Sequence, residues 1–150
     1  MHKVLKIILL LTLLVFVGIQ FIPTNRNQSD IVPPTDLMEV YNVPEKVEVI
    51  FKTSCYDCHS NNTAYQWYNK IQPASWMMQN HIKKGKKELN FNEFGSYSER
   101  KKNSKFKSIL SQVKEGEMPL ASYVLIHRDA KLSENNKKAL EDWINKMLED

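Results

Sequence analysis

The sequence predicts an all-α domain carried behind one apolar N-terminal helix, and three observations predict it. Apolar residues recur at helical spacing in segments spread from Pro44 to the C-terminus. No segment alternates apolar and polar residues in the manner of a half-buried strand. The first 22 residues are dominated by apolar side chains. A length of 150 residues with 42% hydrophobic and 25% charged residues fits a single globular domain and excludes a disordered tail. Four glycines, with no G-x-G-x-x-G or P-loop, speak against a nucleotide-binding fold. A net charge of +4 without a basic recognition motif predicts no nucleic-acid partner.

Residues 1–22 read as a signal anchor. Lys3 and Lys6 precede the apolar run from Ile7 to Ile19, and no acidic residue occurs before Asp30. That run is long for a signal-peptide core and borderline for a span, which takes ~20 apolar residues. The sequence Gly18-Ile19-Gln20-Phe21 places bulky groups where a signal peptidase needs small ones, so an uncleaved anchor is favoured over a cleaved signal. The N-terminal lysines keep that end cytoplasmic and put the remainder in the exported compartment. Residues 23–34, polar and broken by prolines, read as an extended linker, and residues 35–150 form the domain.

Four helices follow from periodicity and end signals. Pro44 suits a first turn, after which Val47, Ile50 and Phe51 make an apolar stripe running into Cys55. A second helix follows Pro73 and carries Trp76, Met77, Asn80 and Lys84 on different faces, with Gly85 near its end. Ser98 is placed to cap a third through Lys114, burying Phe106, Ile109, Leu110 and Val113. Ser133 is placed to cap the last, whose core face is Leu140, Trp143, Ile144 and Met147.

The chemistry concentrates at Cys55-Tyr56-Asp57-Cys58-His59, a C-x-x-C-H sequence and the attachment signal for haem c. Two intervening residues set both sulfurs along one porphyrin edge, where each can form a thioether, and the adjacent imidazole faces the iron. Attachment takes place outside the cytoplasm, in agreement with the export signal. Three other uses of the pair compete. A thioredoxin-like dithiol needs a βαβ unit that this chain lacks. A zinc site would have to recruit His81 or His127 without a second spaced ligand cluster. A disulfide would close too small a loop to add much stability.

The sixth iron ligand is open between several residues. Met118 lies in a loop bounded by Gly116 and Pro119, which favours it; Met77 and Met78 fall within a helix and suit core packing. His81, His127 and an open site are the other possibilities.

The stretch from Cys55 to Thr63, with Tyr65, Trp67-Tyr68, Ile71, Pro73, Ser75-Trp76, His81-Ile82, Gly85, Leu89-Asn90-Phe91 and Phe94, resembles a small haem-binding domain family of exported or anchored Bacteroidetes proteins. Met118-Pro119, Ser122-Tyr123, His127 and Leu132-Ser133 continue the resemblance, which runs from about Val40 to the end of the chain. It implies a cytochrome c-like helical domain around one covalent haem c, bound at Cys55 and Cys58, with His59 as proximal ligand and Met118 opposite. It implies neither a partner nor a reaction.

Trp67, Tyr68 and Trp76 could wall the haem or simply fill the core. Lys83, Lys84, Lys86 and Lys87, followed by Arg100, Lys101, Lys102, Lys105 and Lys107, form a basic stretch that is either a solvated face or a dock for an acidic redox partner protein. The expectation is a non-enzymatic electron-transfer cytochrome with one haem per chain, anchored in the inner membrane with its domain in the periplasm. The rival is a haem-based sensor or gas-binding module with a displaceable sixth ligand.

Overall fold

The computed structural model describes residues 2–29 and 31–149. Eight α-helices occur among them: α1 (His2–Ile19), α2 (Leu37–Val40), α3 (Glu45–Ser54), α4 (Tyr56–His59), α5 (Ala74–Glu88), α6 (Glu99–Lys114), α7 (Ala121–Ile126) and α8 (Glu134–Glu149). Three short 3-10 turns, Trp67–Lys70, Phe91–Ser96 and Arg128–Ala130, complete the structure, and no strand is present among the described residues. Helix α1 buries none of its residues and is long and apolar enough to cross a membrane.

The end signals act in different ways. Ser133 caps α8 as expected, its Oγ accepting from the Asn136 N–H at 3.2 Å. Ser98 precedes α6 but contributes only its carbonyl to the first turn. Helix α5 runs one turn past Gly85 because nothing there requires a break, and it ends at Glu88. Gly116 terminates α6: at φ 75°, it lets the Glu117 N–H reach the Gln112 carbonyl (2.9 Å) and its own N–H reach that of Val113 (3.3 Å). That turn delivers Met118, whose N–H also bonds the Gln112 carbonyl at 3.1 Å.

The domain has two unequal halves. Helices α3, α6 and α8 pack with the Phe91–Ser96 turn around Phe51, Phe91, Phe94, Phe106, Leu140, Trp143 and Ile144, all buried. The rings meet edge to face, with Phe106 and Trp143 at 5.7 Å and Phe51 and Phe91 at 5.2 Å. The other half, built from the Trp67–Lys70 turn, α5 and α7, is nearly without a core. Helix α5 buries only Ser75 and Ile82, and α7 buries nothing.

The linker is extended, as its prolines require, yet it is bound to the domain. Asn27 donates through Nδ2 to the Ser60 carbonyl and Thr63 Oγ1, both at 2.9 Å, and its carbonyl accepts the Thr63 N–H at 3.0 Å. Gln20, just past α1, exchanges hydrogen bonds with the backbone of Gln72 at 3.2 and 2.9 Å. Polar side chains supply these contacts, which is why hydropathy gives no sign of them.

Truncating Phe106 leaves a cavity among Tyr41, Phe94 and Trp143. Phe106→Ala is expected to cost ~3–5 kcal/mol in denaturant unfolding, and Phe106→Leu less. Equal midpoints for Phe106→Ala and the parent would show that this cluster is not the main core.

Candidate functional site

Cys55, Cys58 and His59 come together where α3 gives way to α4. The Cys55 N–H still bonds the Phe51 carbonyl (2.9 Å), but the backbone bends there, and the Cys58 and His59 N–H groups both turn back to the Cys55 carbonyl at 3.2 and 3.0 Å. One turn of helix therefore carries all three side chains, each half-buried, with the sulfurs three residues apart on one side.

This turn is held from several directions. His59 Nδ1 lies 3.0 Å from the Leu89 carbonyl oxygen. A carbonyl only accepts, so the neutral ring carries its proton on Nδ1 and keeps its lone pair on Nε2. Burial pushes the imidazole below the usual histidine range, while the Leu89 and Gly85 carbonyls act in the opposite sense. Gly85 makes the closest approach: a Cβ there would stand 2.7 Å from the Cys58 carbonyl oxygen and 3.4 Å from His59 Cε1. Downstream, the Asn61 N–H donates to Asn92 Oδ1, and Asn92 Nδ2 donates to the buried Asp36 carboxylate at 2.7 Å. The Tyr56 hydroxyl donates to the other Asp36 oxygen at 2.9 Å, which ties α4 to the cap of α2.

Beside α4 opens a cleft of about 160 Å³ lined by Cys58, Tyr68, Met77, Met78, His81, Tyr123, Ile126 and His127, among others. Several of its polar side chains partner one another. The Tyr68 hydroxyl meets His127 Nε2 at 2.6 Å, Tyr123 stacks on the His127 ring at 4.2 Å, and the Tyr123 hydroxyl donates to Asp57 Oδ2 at 2.7 Å. Burial raises the phenols of both Tyr68 and Tyr123, and the Asp57 carboxylate adds to it.

A family model described as a haem-binding domain matches residues 14–146. The chain belongs to the haem-binding domain family. No curated protein matches it, and no solved structure does. Haem is therefore the group against which the site is to be measured, and three features fit. The donor set offers two thiols and a neutral imidazole on one turn. The cleft walls are mostly apolar. The half of the domain facing the cleft is short of buried apolar surface, which a bound porphyrin would supply. The void is smaller than the ~300–1,000 Å³ of typical cofactor pockets. Seating a porphyrin requires Tyr68, Tyr123 and His127 to move outward, and α7 is free to carry two of them because it buries no residue.

The sequence-predicted residues are distributed unevenly. Cys58, His81 and His127 line the cleft, as do Met77 and Met78, which their helical spacing had suggested were core. Cys55 and His59 stand on the same turn as Cys58, with His59 packed between Gly85 and the Phe91 ring. Met118 is half-buried in its loop, two residues before Leu120, which does line the cleft. Of the three aromatics, only Tyr68 joins the wall; Trp67 is 72% exposed and Trp76 36%. Asp57, Tyr123 and Asn92 are the residues that sequence reasoning missed. Each acts through side-chain hydrogen bonds that reach a distant segment, for which pattern and spacing carry no signal.

The competing uses of the cysteines find no support here. Burial pushes the Cys55 thiol up to about 12, with Cys58 adding to it, and the Cys58 thiol up to about 11, with Asp57 adding. A redox dithiol works with a lowered pKa. Among the described residues, no three His, Cys, Asp or Glu side chains gather into a metal-binding group.

Gly85→Ala forces α5 away from α4, because the atom it would strike is backbone. Reduced thermal stability and lower haem incorporation are expected for this variant. An unchanged melting temperature together with full haem content would show that the helix contact is not tight.

Proposed function

We propose that this chain is a monohaem c-type electron carrier, anchored in the inner membrane by α1 with its domain in the periplasm. The observation that carries the reading is the α4 turn, with its thiol pair beside an imidazole whose Nδ1 is engaged by the Leu89 carbonyl. Cys55 and Cys58 would hold haem c by adding their S–H groups across the two vinyl groups, each forming one C–S bond, with hydrogen added at the other vinyl carbon. His59 would bind iron through Nε2, its orientation set by the carbonyl behind it. Bound haem c supplies reversible one-electron chemistry at its iron. The protein's part would be to hold the group through Cys55, Cys58, His59 and Met118 and to exclude water with the Tyr68, Tyr123 and Ile126 side of the cleft.

Met118 is the ligand proposed opposite His59. Its support is the Gly116 turn, which fixes the loop that leads directly into the cleft wall at Leu120. A filled site with a thioether ligand raises the reduction potential and favours electron transfer. Exposed Lys83, Lys84, Lys87, Arg100, Lys101 and Lys107 offer a face for an acidic redox partner. The second reading, a sensor with a displaceable ligand, is favoured by one observation: His81 and His127 line the cleft, whereas Met118 stands at its approach.

Redox titration and carbon monoxide difference spectra of the holoprotein separate the two. The carrier reading expects a six-coordinate low-spin parent that does not bind carbon monoxide. Met118→Ala should open the iron to carbon monoxide, and Met118→His should lower the potential; His127→Ala should do neither. Carbon monoxide binding by the parent, or loss of the low-spin spectrum in His127→Ala alone, would favour the sensor.

A further inference from the structure

Most of the domain's exposed large apolar residues belong to the chain segments that line the cleft. Trp67, 72% exposed, adjoins Tyr68, with ring centroids 5.9 Å apart. Across the Tyr68–His127 hydrogen bond lie Leu125, 77% exposed, and Ile126. Exposed Ile71, Trp76 and Met77 continue the patch along the start of α5. Between Ala64 and His81 the sequence has one charged residue, Lys70, and between Met118 and His127 it has none. An apolar patch of this kind on a small domain marks a contact surface.

The structure also shows what lies next to it. Gln20 at the end of α1 exchanges hydrogen bonds with Gln72, Gln72 Nε2 donates to the Ile22 carbonyl at 3.4 Å, and Thr24 Oγ1 lies 2.9 Å from Ser75 Oγ. These contacts bring the chain's exit from α1 against the segment that links Ile71 to Trp76. The basic residues of α5 begin at Lys83, ~12 Å further along the helix axis from Ser75.

We infer that the mouth of the cleft lies on the bilayer surface, with Trp67, Ile71, Trp76, Leu125 and Ile126 seated in the lipid headgroup interface. Indole rings favour that layer, and Lys70 and the exposed Arg128 match anionic headgroups. The inference rests on the proposed membrane anchoring of α1. It gives the domain a defined orientation: the cleft opens toward lipid, and the basic part of α5 stays accessible from the aqueous side.

The test uses the full-length holoprotein in bilayer nanodiscs containing phosphatidylglycerol and a phospholipid with a photoreactive group at headgroup depth, followed by peptide mass mapping. Labelling of the peptides spanning residues 64–77 and 121–127 is expected to exceed that of the exposed faces of α6 and α8 several-fold. Trp67→Glu combined with Leu125→Glu should remove most of that excess and leave the haem spectrum unchanged. Labelling confined to α1, in protein that alkaline carbonate fails to extract, overturns the orientation and leaves the anchor intact. Extraction of full-length protein by carbonate overturns the anchor, and the orientation with it. A dimer whose rim peptides escape labelling assigns the patch to a second copy and also overturns the inference.

Discussion

The constraint on which the site depends is the approach of α5 to the α4 turn at Gly85. With 2.7 Å between a notional Cβ and the Cys58 carbonyl oxygen, only glycine allows the two helices to meet at this distance. The contact fixes more than packing. It holds α5 so that the chain, leaving it at Leu89, presents the carbonyl that orients His59. The same helix then supplies Met77, Met78 and His81 to the cleft. Relaxing one contact would disturb the imidazole and one wall of the cleft together.

The second organising feature is the division of apolar material. The aromatic cluster of α3, α6 and α8 stands without the cleft and gives the motif turn a rigid back. Across α4, the α5–α7 half is held by hydrogen bonds: Asn27 to the loop after the motif, Tyr123 to Asp57, and Tyr68 to His127. Hydrogen bonds of this kind contribute ~1 kcal/mol each and can be exchanged, whereas a packed aromatic core cannot be rearranged cheaply. The division suits a domain in which one half is fixed and the other adjusts around a large planar group.

Helices α3, α6 and α8 were legible in the sequence because each carries a periodic apolar face, as with Val47, Ile50 and Phe51 or Leu140, Trp143 and Ile144, whereas α5 was marked by Pro73 before it. The site turn stood out in the sequence because its residue types and spacing match the attachment signal for haem c. Three kinds of feature were not legible. Short elements such as Leu37–Val40 and Ala121–Ile126 span too few residues to show a period. The polar clasp of Asp36, Tyr56, Asn92 and Asn61 joins residues up to 56 positions apart, so no local pattern announces it. Trp67 resembles a core residue in the sequence and is mostly exposed, meeting the Tyr68 ring edge to face.

The central claim is that Cys55 and Cys58 hold haem covalently beside His59. Its most direct test is the intact mass of protein made in a host with c-type haem maturation, measured after acid-acetone extraction. The account predicts a polypeptide heavier by one haem, with Cys55→Ala/Cys58→Ala at the mass of the polypeptide alone. Parent protein at the bare polypeptide mass, with all haem in the acetone phase, would contradict it.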